Sequence, residues 1–489
     1  MKKILLCFST CLIILTDSAY CQNEIDALRY STHNIFGSAR YISMSGAYGA
    51  LGGDLSILNQ NPAGLAFYQY NEFSFTPSLD LNNSSTYYNS KKNDAARIST
   101  NLGNMGAVFS NLKSGDLWKR VNIGLGWNQL ANYNNNTYID QYNNASSLAD
   151  NFLLLANGNT IERLDQFNTG PAFWSDVIDL ANNTVDDSTN WYLFDNGNYI
   201  SHVKGDGQKR QTKDIRTTGG LTEFSLALSG SYQDKLYLGV SIGMPNINFY
   251  ENSLHSESEF SDTINDLQGF SYEEELSVSG TGINIKIGGI ARLPIKNLKI
   301  AAALHSPTFF DIEENYHSSV SAYFKNSRNE EESPLNYFSY QLMTPWKIMS
   351  SASINLNKNF LMNVDYELVD FSFSRLYSDY YRFDNENDAI QELYKKSTNI
   401  RIGAELRMAP FSLRSGYGIY DSPYKNNEDY TTENYSFGAG FHHGNYFFDV
   451  AYLYSKNNSQ HLLYSDNLVS PNSVINERHS IVFTLGFKY

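Results

Sequence analysis

Cysteine occurs only at Cys7, Cys11 and Cys21, in the first few dozen of 489 residues. A chain that loses this stretch keeps no thiol, so it has neither a disulfide framework nor a cysteine metal site. Beyond it no apolar run reaches the length of a membrane-crossing helix. Basic residues are scarce: 36 Lys and Arg against 51 Asp and Glu give a formal net charge of −15, which argues against a nucleic-acid partner. Gly-x-Ser-x-Gly, His-Glu-x-x-His and phosphate-loop patterns are all missing, so no enzyme class is suggested and no cofactor is implied. An outer-membrane lipase with a Ser/His pair outside any motif stays open.

What is present begins with "MKKILLCFSTCLIILTDSAYCQ". Lys2 and Lys3 precede a short apolar core and then Ser18-Ala19-Tyr20-Cys21, the pattern of a secretory signal peptide spanning residues 1–21 and cleaved before Gln22. Lipidation of Cys21 is the rival reading, opposed by the bulky Tyr20. Aromatic residues are abundant, with 36 Tyr and 29 Phe, in a chain that is polar on average.

The C-terminal "SIVFTLGFKY" puts Ile481, Phe483, Leu485, Phe487 and Tyr489 on one face and Val482, Thr484, Gly486 and Lys488 on the other. A period of two is that of a strand with one greasy side. "YFFDVAYLY", "NIRIGAELRM", "LYLGVSIGM", "GINIKIGG" and "NFLMNVDYEL" repeat it. Periodicity alone allows a soluble sandwich as well as a barrel that turns its apolar faces to lipid. The connections decide between them. Tight links ("SYQDK", "LPIKNL", "LNKN", "AP", "HGN") alternate with long polar ones near 253–267, 320–335, 377–395, 421–432 and 457–477. That is the rhythm of a transmembrane meander with periplasmic turns and extracellular loops. About fourteen strands are expected, starting near 72, 101, 118, 220, 234, 267, 296, 335, 359, 395, 410, 432, 445 and 476. The fold class is therefore an all-β transmembrane antiparallel barrel over residues 71–489, closed because lipid tolerates no unpaired edge.

Two segments exceed a plain barrel. Residues 132–219 form one very long extracellular loop. In it "SLADNFLLLANG" and "GPAFWSDVIDLANN" predict short helices, with Pro171 suited to a first turn. Phe152, Leu153, Leu154, Leu155, Phe173, Trp174, Val177 and Ile178 either pack against each other and the barrel rim or form a capture surface for an apolar ligand. Residues 22–70 precede the first strand. Their glycines (Gly46, Gly49, Gly52, Gly53, Gly64) permit turns, and their apolar side chains would be wasted on a dangling tail, so a plug folded up from the periplasmic side into the lumen is expected.

"SARYISMSGAYGALGGDLSILNQNPAGLA" resembles the N-terminal hatch of FadL/TodX-type outer-membrane channels for hydrophobic compounds. The matching positions are Asp54 and Asn61-Pro62-Ala63, with Gly64 following. The resemblance implies a fourteen-stranded barrel, a hatch in the lumen and diffusion of long-chain fatty acids or similar molecules across the outer membrane. It also implies lipid and lipopolysaccharide as surroundings. The aromatic ending at Tyr489 points to the outer-membrane assembly machinery, and a monomer is expected. Some family members release ligand sideways at a kinked third strand. Here that strand, "RVNIGLGWNQL", carries Gly124 and Gly126 on its inner face, either as the kink or as room for the plug. Two other roles fit the same scaffold. One is a surface-protein shuttle of a secretion system; the other is haem uptake, for which the nine histidines, including His442-His443, show no ligand spacing.

Overall fold

The computed structural model describes residues 24–88, 91–112, 117–181, 197–203, 207–263, 266–295, 297–426 and 430–489. The expected signal peptide lies outside them, as do residues 182–196 and 204–206 of the long loop.

Fourteen strands form one closed antiparallel barrel. They are β1 (Glu72–Tyr88), β2 (Lys91–Leu112), β3 (Trp118–Asn132, continued as Asn135–Asn143), β4 (Lys209–Tyr232), β5 (Leu236–Ser258) and β6 (Leu267–Arg292). Next come β7 (Leu298–His305 and Phe309–Phe324), β8 (Arg328–Glu332, Asn336–Met343 and Lys347–Asn355) and β9 (Phe360–Asp370). The last five are β10 (Lys396–Met408), β11 (Phe411–Tyr420), β12 (Thr432–His443), β13 (Tyr446–His461) and β14 (Asn472–Lys488). Each pairs with its neighbours in the chain, and β14 returns to β1 with Glu72 opposite Lys488 and Tyr87 opposite Ser473. The tight links gather at one end of the barrel, the turn end; the long ones gather at the other, the loop end.

The outer wall is apolar. Phe224, Leu226 and Leu228 on β4, Leu238, Val240, Ile242 and Met244 on β5, and Ile283, Ile285 and Ile287 on β6 are all exposed, as are Ile481, Phe483 and Leu485 on β14. Their inward neighbours, among them Ser225, Asn284, Lys286 and Thr484, are buried. Such a surface is stable in hydrocarbon and aggregates in water.

Several strands run further than their sequence pattern. The second begins at Lys91 and not near 101, and the fourth at Lys209 and not near 220. The ladder between β5 and β6 persists to Ser258 opposite Gly269, and Glu330, Glu331 and Glu332, expected in a loop, pair with Ser321, Val320 and Ser319. The outward faces of these extensions are polar, as at Ser256, Ser271 and Glu273, while Phe270, Val320 and Ala322 on the inward faces are buried. Above the hydrocarbon no lipid imposes alternation, so the period of two fades while the hydrogen-bonded ladder continues.

Helix α1 (Glu24–Ser31) opens the described chain, followed by α2 (Ala39–Ile42) and 3-10 turns at Leu55–Asn59 and Pro62–Phe67. Ala39, Met44, Ala47, Tyr48, Ala50, Ile57, Leu58, Ala63, Leu65 and Ala66 are wholly buried, against inward-facing side chains of the wall. The direction of travel differs from expectation. The segment does not rise from the turn end; Glu24 lies near the loop end, where its carbonyl accepts from Tyr394 Oη at 3.0 Å, and the chain descends through the lumen to β1. Ala27 and Tyr30 are wholly buried there, which a start at the turn end could not achieve.

Candidate ligand passage

The N-terminal segment is organised by its own short polar side chains. Ser38 caps α2, its Oγ accepting from Tyr41 N at 3.1 Å and donating to Asp54 Oδ2 at 2.5 Å. Asp54 Oδ1 accepts from Ser56 N at 2.9 Å and starts the turn at Leu55–Asn59. Asn61 Oδ1 accepts from Ala63 N at 3.2 Å, with Pro62 in the first position of the following turn. Its Nδ2 donates to Gly49 O at 2.8 Å, while Gly53 N donates to Gly64 O at 3.1 Å. Gly52 has φ +73° and packs against the Gly64 carbonyl, where any side chain would collide. Asp54, Asn61, Pro62, Ala63 and Gly64 therefore fasten the glycine-rich half of the segment to its second half, as capping residues do.

The wall holds this unit by polar latches. Asp365 on β9 accepts from Tyr48 N at 2.8 Å, Gly49 N at 3.1 Å and Gln60 Nε2 at 2.7 Å. Arg40 Nε meets Glu405 Oε2 on β10 at 2.9 Å; Glu405 also receives Arg414 Nε at 2.7 Å and Arg407. Asn122 on β3 donates to the carbonyls of Leu65 and Tyr68 at 2.8 and 3.0 Å. Thr484 and Ser436 accept from Ala39 N and Ser45 N. Buried amides left without such partners would each cost about 1–3 kcal/mol, so the latches decide where the segment can sit.

Glycines of the wall mark the closest approach. A Cβ on Gly288 would strike Asn61, and one on Gly239 would strike the Pro62–Ala63 peptide. Gly124 and Gly126 lie in the regularly paired part of β3, opposite Val108 and Gly106. A Cβ at Gly124 would lie 3.0 Å from Leu65, and one at Gly126 2.7 Å from Leu58. Both glycines thus face the N-terminal segment.

The interruption of the wall lies higher. Pairing of β2 with β3 ends at Asn104 opposite Asn128, and β3 carries a register shift between Gln129 and Ala131. Above this, residues 91–103 of β2 pair only with β1, and Asn135–Asn143 pairs only with β4. The upper part of β3 instead crosses the lumen side of the first hairpin, receiving Asn82 Nδ2 on Asn134 O at 2.6 Å and Thr86 Oγ1 on Tyr138 O at 2.7 Å. At the seam, buried Asp80 accepts from Asn101 at 2.5 Å and Asn132 at 3.2 Å.

Around α1 the lumen carries an apolar belt. Leu221, Ile247, Phe249, Val278, Phe310, Ile312 and Leu342 point inward and pack with Ala27 and Tyr30 of α1 and with Phe383 and Ile390 beside and within α5 (Asp384–Leu393). Arg29 lies 4.3 Å over the Phe249 ring. The sequence reading missed this belt. Its signal was apolar residues on both phases of one strand, as in Phe309-Phe310, where Phe309 is 56% exposed and Phe310 3%.

In the long loop, helix α3 (Leu148–Ala156) forms where expected, whereas the second expected helix is confined to α4 (Thr169–Trp174) and Ile178–Leu180 is instead a strand paired with Tyr199–Ser201. Ser147 and Asp150 make a capping box for α3. Phe152 and Ile178 are buried with Leu148, Val177, Phe270 and Val320, and Phe173 packs beside them. Leu154, Leu155 and Trp174 stay exposed at 58, 49 and 53%. The eight apolar residues of this loop therefore divide between loop core and loop surface. His442 lies 3.5 Å from Asp449. Among the described residues no group of three His, Cys, Asp or Glu is placed to hold a metal.

No family model and no curated relative matches this chain. Solved structures do. The toluene transporter TodX of P. putida superposes with a TM-score of 0.52 at 12% identity, covering 94% of this chain and 99% of its own. A Pseudomonas aeruginosa FadL homologue gives 0.53 at 11% over 94 and 99%, and the Ralstonia pickettii toluene transporter TbuX 0.51 at 14% over 94 and 100%. Over 94% of its length the chain has the fold of the FadL/TodX-type channels.

Proposed function

We propose that this protein is an outer-membrane channel through which hydrophobic small molecules diffuse, with the N-terminal segment as its plug. One observation carries the reading: the lumen is filled and latched, while the wall is unzipped between β2 and β3 directly beside an apolar inner belt. A polar solute finds no open pore, whereas an apolar one finds surface to follow. Each methylene kept from water is worth about 0.8 kcal/mol, enough to draw an acyl chain or a hydrocarbon along such a path without an energy source. In this reading the loop end is extracellular and the turn end periplasmic. Leu154, Leu155 and Trp174 receive the ligand above the lipopolysaccharide, and the belt around α1 takes it next. The structural neighbours, toluene transporters and a FadL homologue, support the hydrophobic class, of which long-chain fatty acids are one member.

The test is reconstitution into liposomes of the full chain and of a form lacking residues 24–66. The full chain is expected to pass an apolar dye and hold back a small sugar; the deleted form is expected to leak the sugar. Equal sugar permeability in the two would overturn the plug, and no dye passage in the full chain would overturn the channel.

A further inference from the structure

The periplasmic mouth has a second feature that passage of apolar molecules does not require. Between the β6–β7 turn, the β8–β9 turn and the end of β10 lies a cavity of about 470 Å³ lined by Arg292, Lys299, Lys358, Phe360, Leu361 and Arg407, with asparagines between them. Among the described residues no carboxylate lines it, in a chain with a formal net charge of −15. Lys299 is the buried member, 9% exposed. Its ammonium donates to Leu51 O at 3.0 Å and lies 4.7 Å from the centre of the Phe67 ring. An ammonium has three hydrogens to give, and this carbonyl is the acceptor Lys299 has among the described residues. The charges acting on it most strongly are Arg292, Arg40 and Arg407, all of its own sign. The carboxylate of Glu405 is already shared by Arg40, Arg407 and Arg414.

A buried ammonium among cations is costly unless it gives up its proton or an anion joins it. Here the cavity opens beside that cation, with exposed guanidinium and ammonium groups at its rim and two apolar side chains on its wall. We infer that this vestibule is a binding site for the carboxylate of an amphiphilic molecule, held by Lys299 and the rim cations with its alkyl part against Phe360 and Leu361. The site rests on the channel reading only for its supply of ligand. It also touches the plug, because an incoming carboxylate competes with the Leu51 carbonyl for Lys299 and so loosens the glycine-rich turn at Gly52 and Gly53.

The experiment compares dodecanoate, 1-dodecanol and acetate by calorimetry on the full chain in a nonionic detergent, in wild type, in Lys299→Met and in the rim variant Arg292→Gln/Lys358→Gln. Wild type is expected to prefer dodecanoate over dodecanol by about tenfold or more, the scale of one charge-assisted hydrogen bond. Both variants are expected to lose that preference while binding dodecanol as before; the rim variant covers the case in which Lys299→Met fails to fold. Acetate should bind weakly and compete. An undiminished preference for dodecanoate in the folded variants, or equal binding of dodecanoate and dodecanol by wild type, overturns the vestibule site. Failure of wild type to bind dodecanol strikes the channel reading instead, and the acetate arm then still reports on the vestibule alone.

Discussion

Asp365 grips the backbone of Gly49 from across the lumen, accepting its amide at 3.1 Å while holding Tyr48 N at 2.8 Å with the same oxygen. One carboxylate on the wall thereby fixes two successive peptides of the N-terminal segment, and Gln60 Nε2 completes the grip at 2.7 Å. Gly49 has no alternative: a side chain there would run into Ser351 and Asp365.

Replacing Asp365 with Ala takes the acceptor from Tyr48 N and Gly49 N, at about 1–3 kcal/mol each, and from Asn363 Nδ2, and leaves Gln60 Nε2 with Gly46 O alone. The barrel ladder is untouched, so the loss falls on the segment. Hydrogen exchange of amides between residues 47 and 61 is expected to quicken by at least tenfold, while heat-modifiable gel migration of the barrel stays the same.

Gly288→Ala and Gly239→Ala push a methyl group into Asn61 and the Pro62–Ala63 peptide. Each should displace the second turn of the segment and raise liposome permeability to small polar solutes. A distant lipid-facing change, Ile242→Ala, should leave permeability as it is.

At the seam, Asp80→Ala frees Asn101 and Asn132 from their shared acceptor. Passage of an apolar dye is expected to rise. Cross-linking Asn101→Cys to Asn132→Cys with a short bis-maleimide should suppress it, and a luminal route that ignores the seam would show no response to either change.

The loop residues separate by burial. Phe152→Ala opens a cavity in the loop core and should destabilise the loop by about 3–5 kcal/mol, seen as proteolytic cleavage between 144 and 203. Trp174→Ser, at an exposed position, should leave proteolysis unchanged and lower the initial rate of apolar-dye capture several-fold.

The wall was legible because lipid writes on it. Ile481, Phe483 and Leu485 face hydrocarbon, and the alternation they impose gave fourteen strands near their observed starts. The polar upper strands carried no such mark, so β2 and β4 began ten or so residues early. The motif at Asp54 and Asn61–Gly64 pointed to a folded segment, but not to its partners, since Asp365, Glu405 and Asn122 are hundreds of positions or several strands away and look like ordinary lumen residues. Gly124 and Gly126 were visible as inward glycines. The unzipping that begins past Asn128 was not, because a change of pairing partner leaves the residue types of β3 as they were.

The segment that fills the lumen begins beside Tyr394 at one end and joins β1 at the other, and β1 is sealed to β14 along Glu72–Tyr87. A chain threaded this way through a closed ring cannot be drawn in after the ring is complete without pulling everything that precedes Glu24 along the whole interior. The economical order of assembly has the early residues collapse onto the nascent strands first, so that the last hairpin shuts around them. Loop closure between the two ends of the sequence is the slow, entropically demanding step, and the latches to β9 and β10 would already be made when it comes.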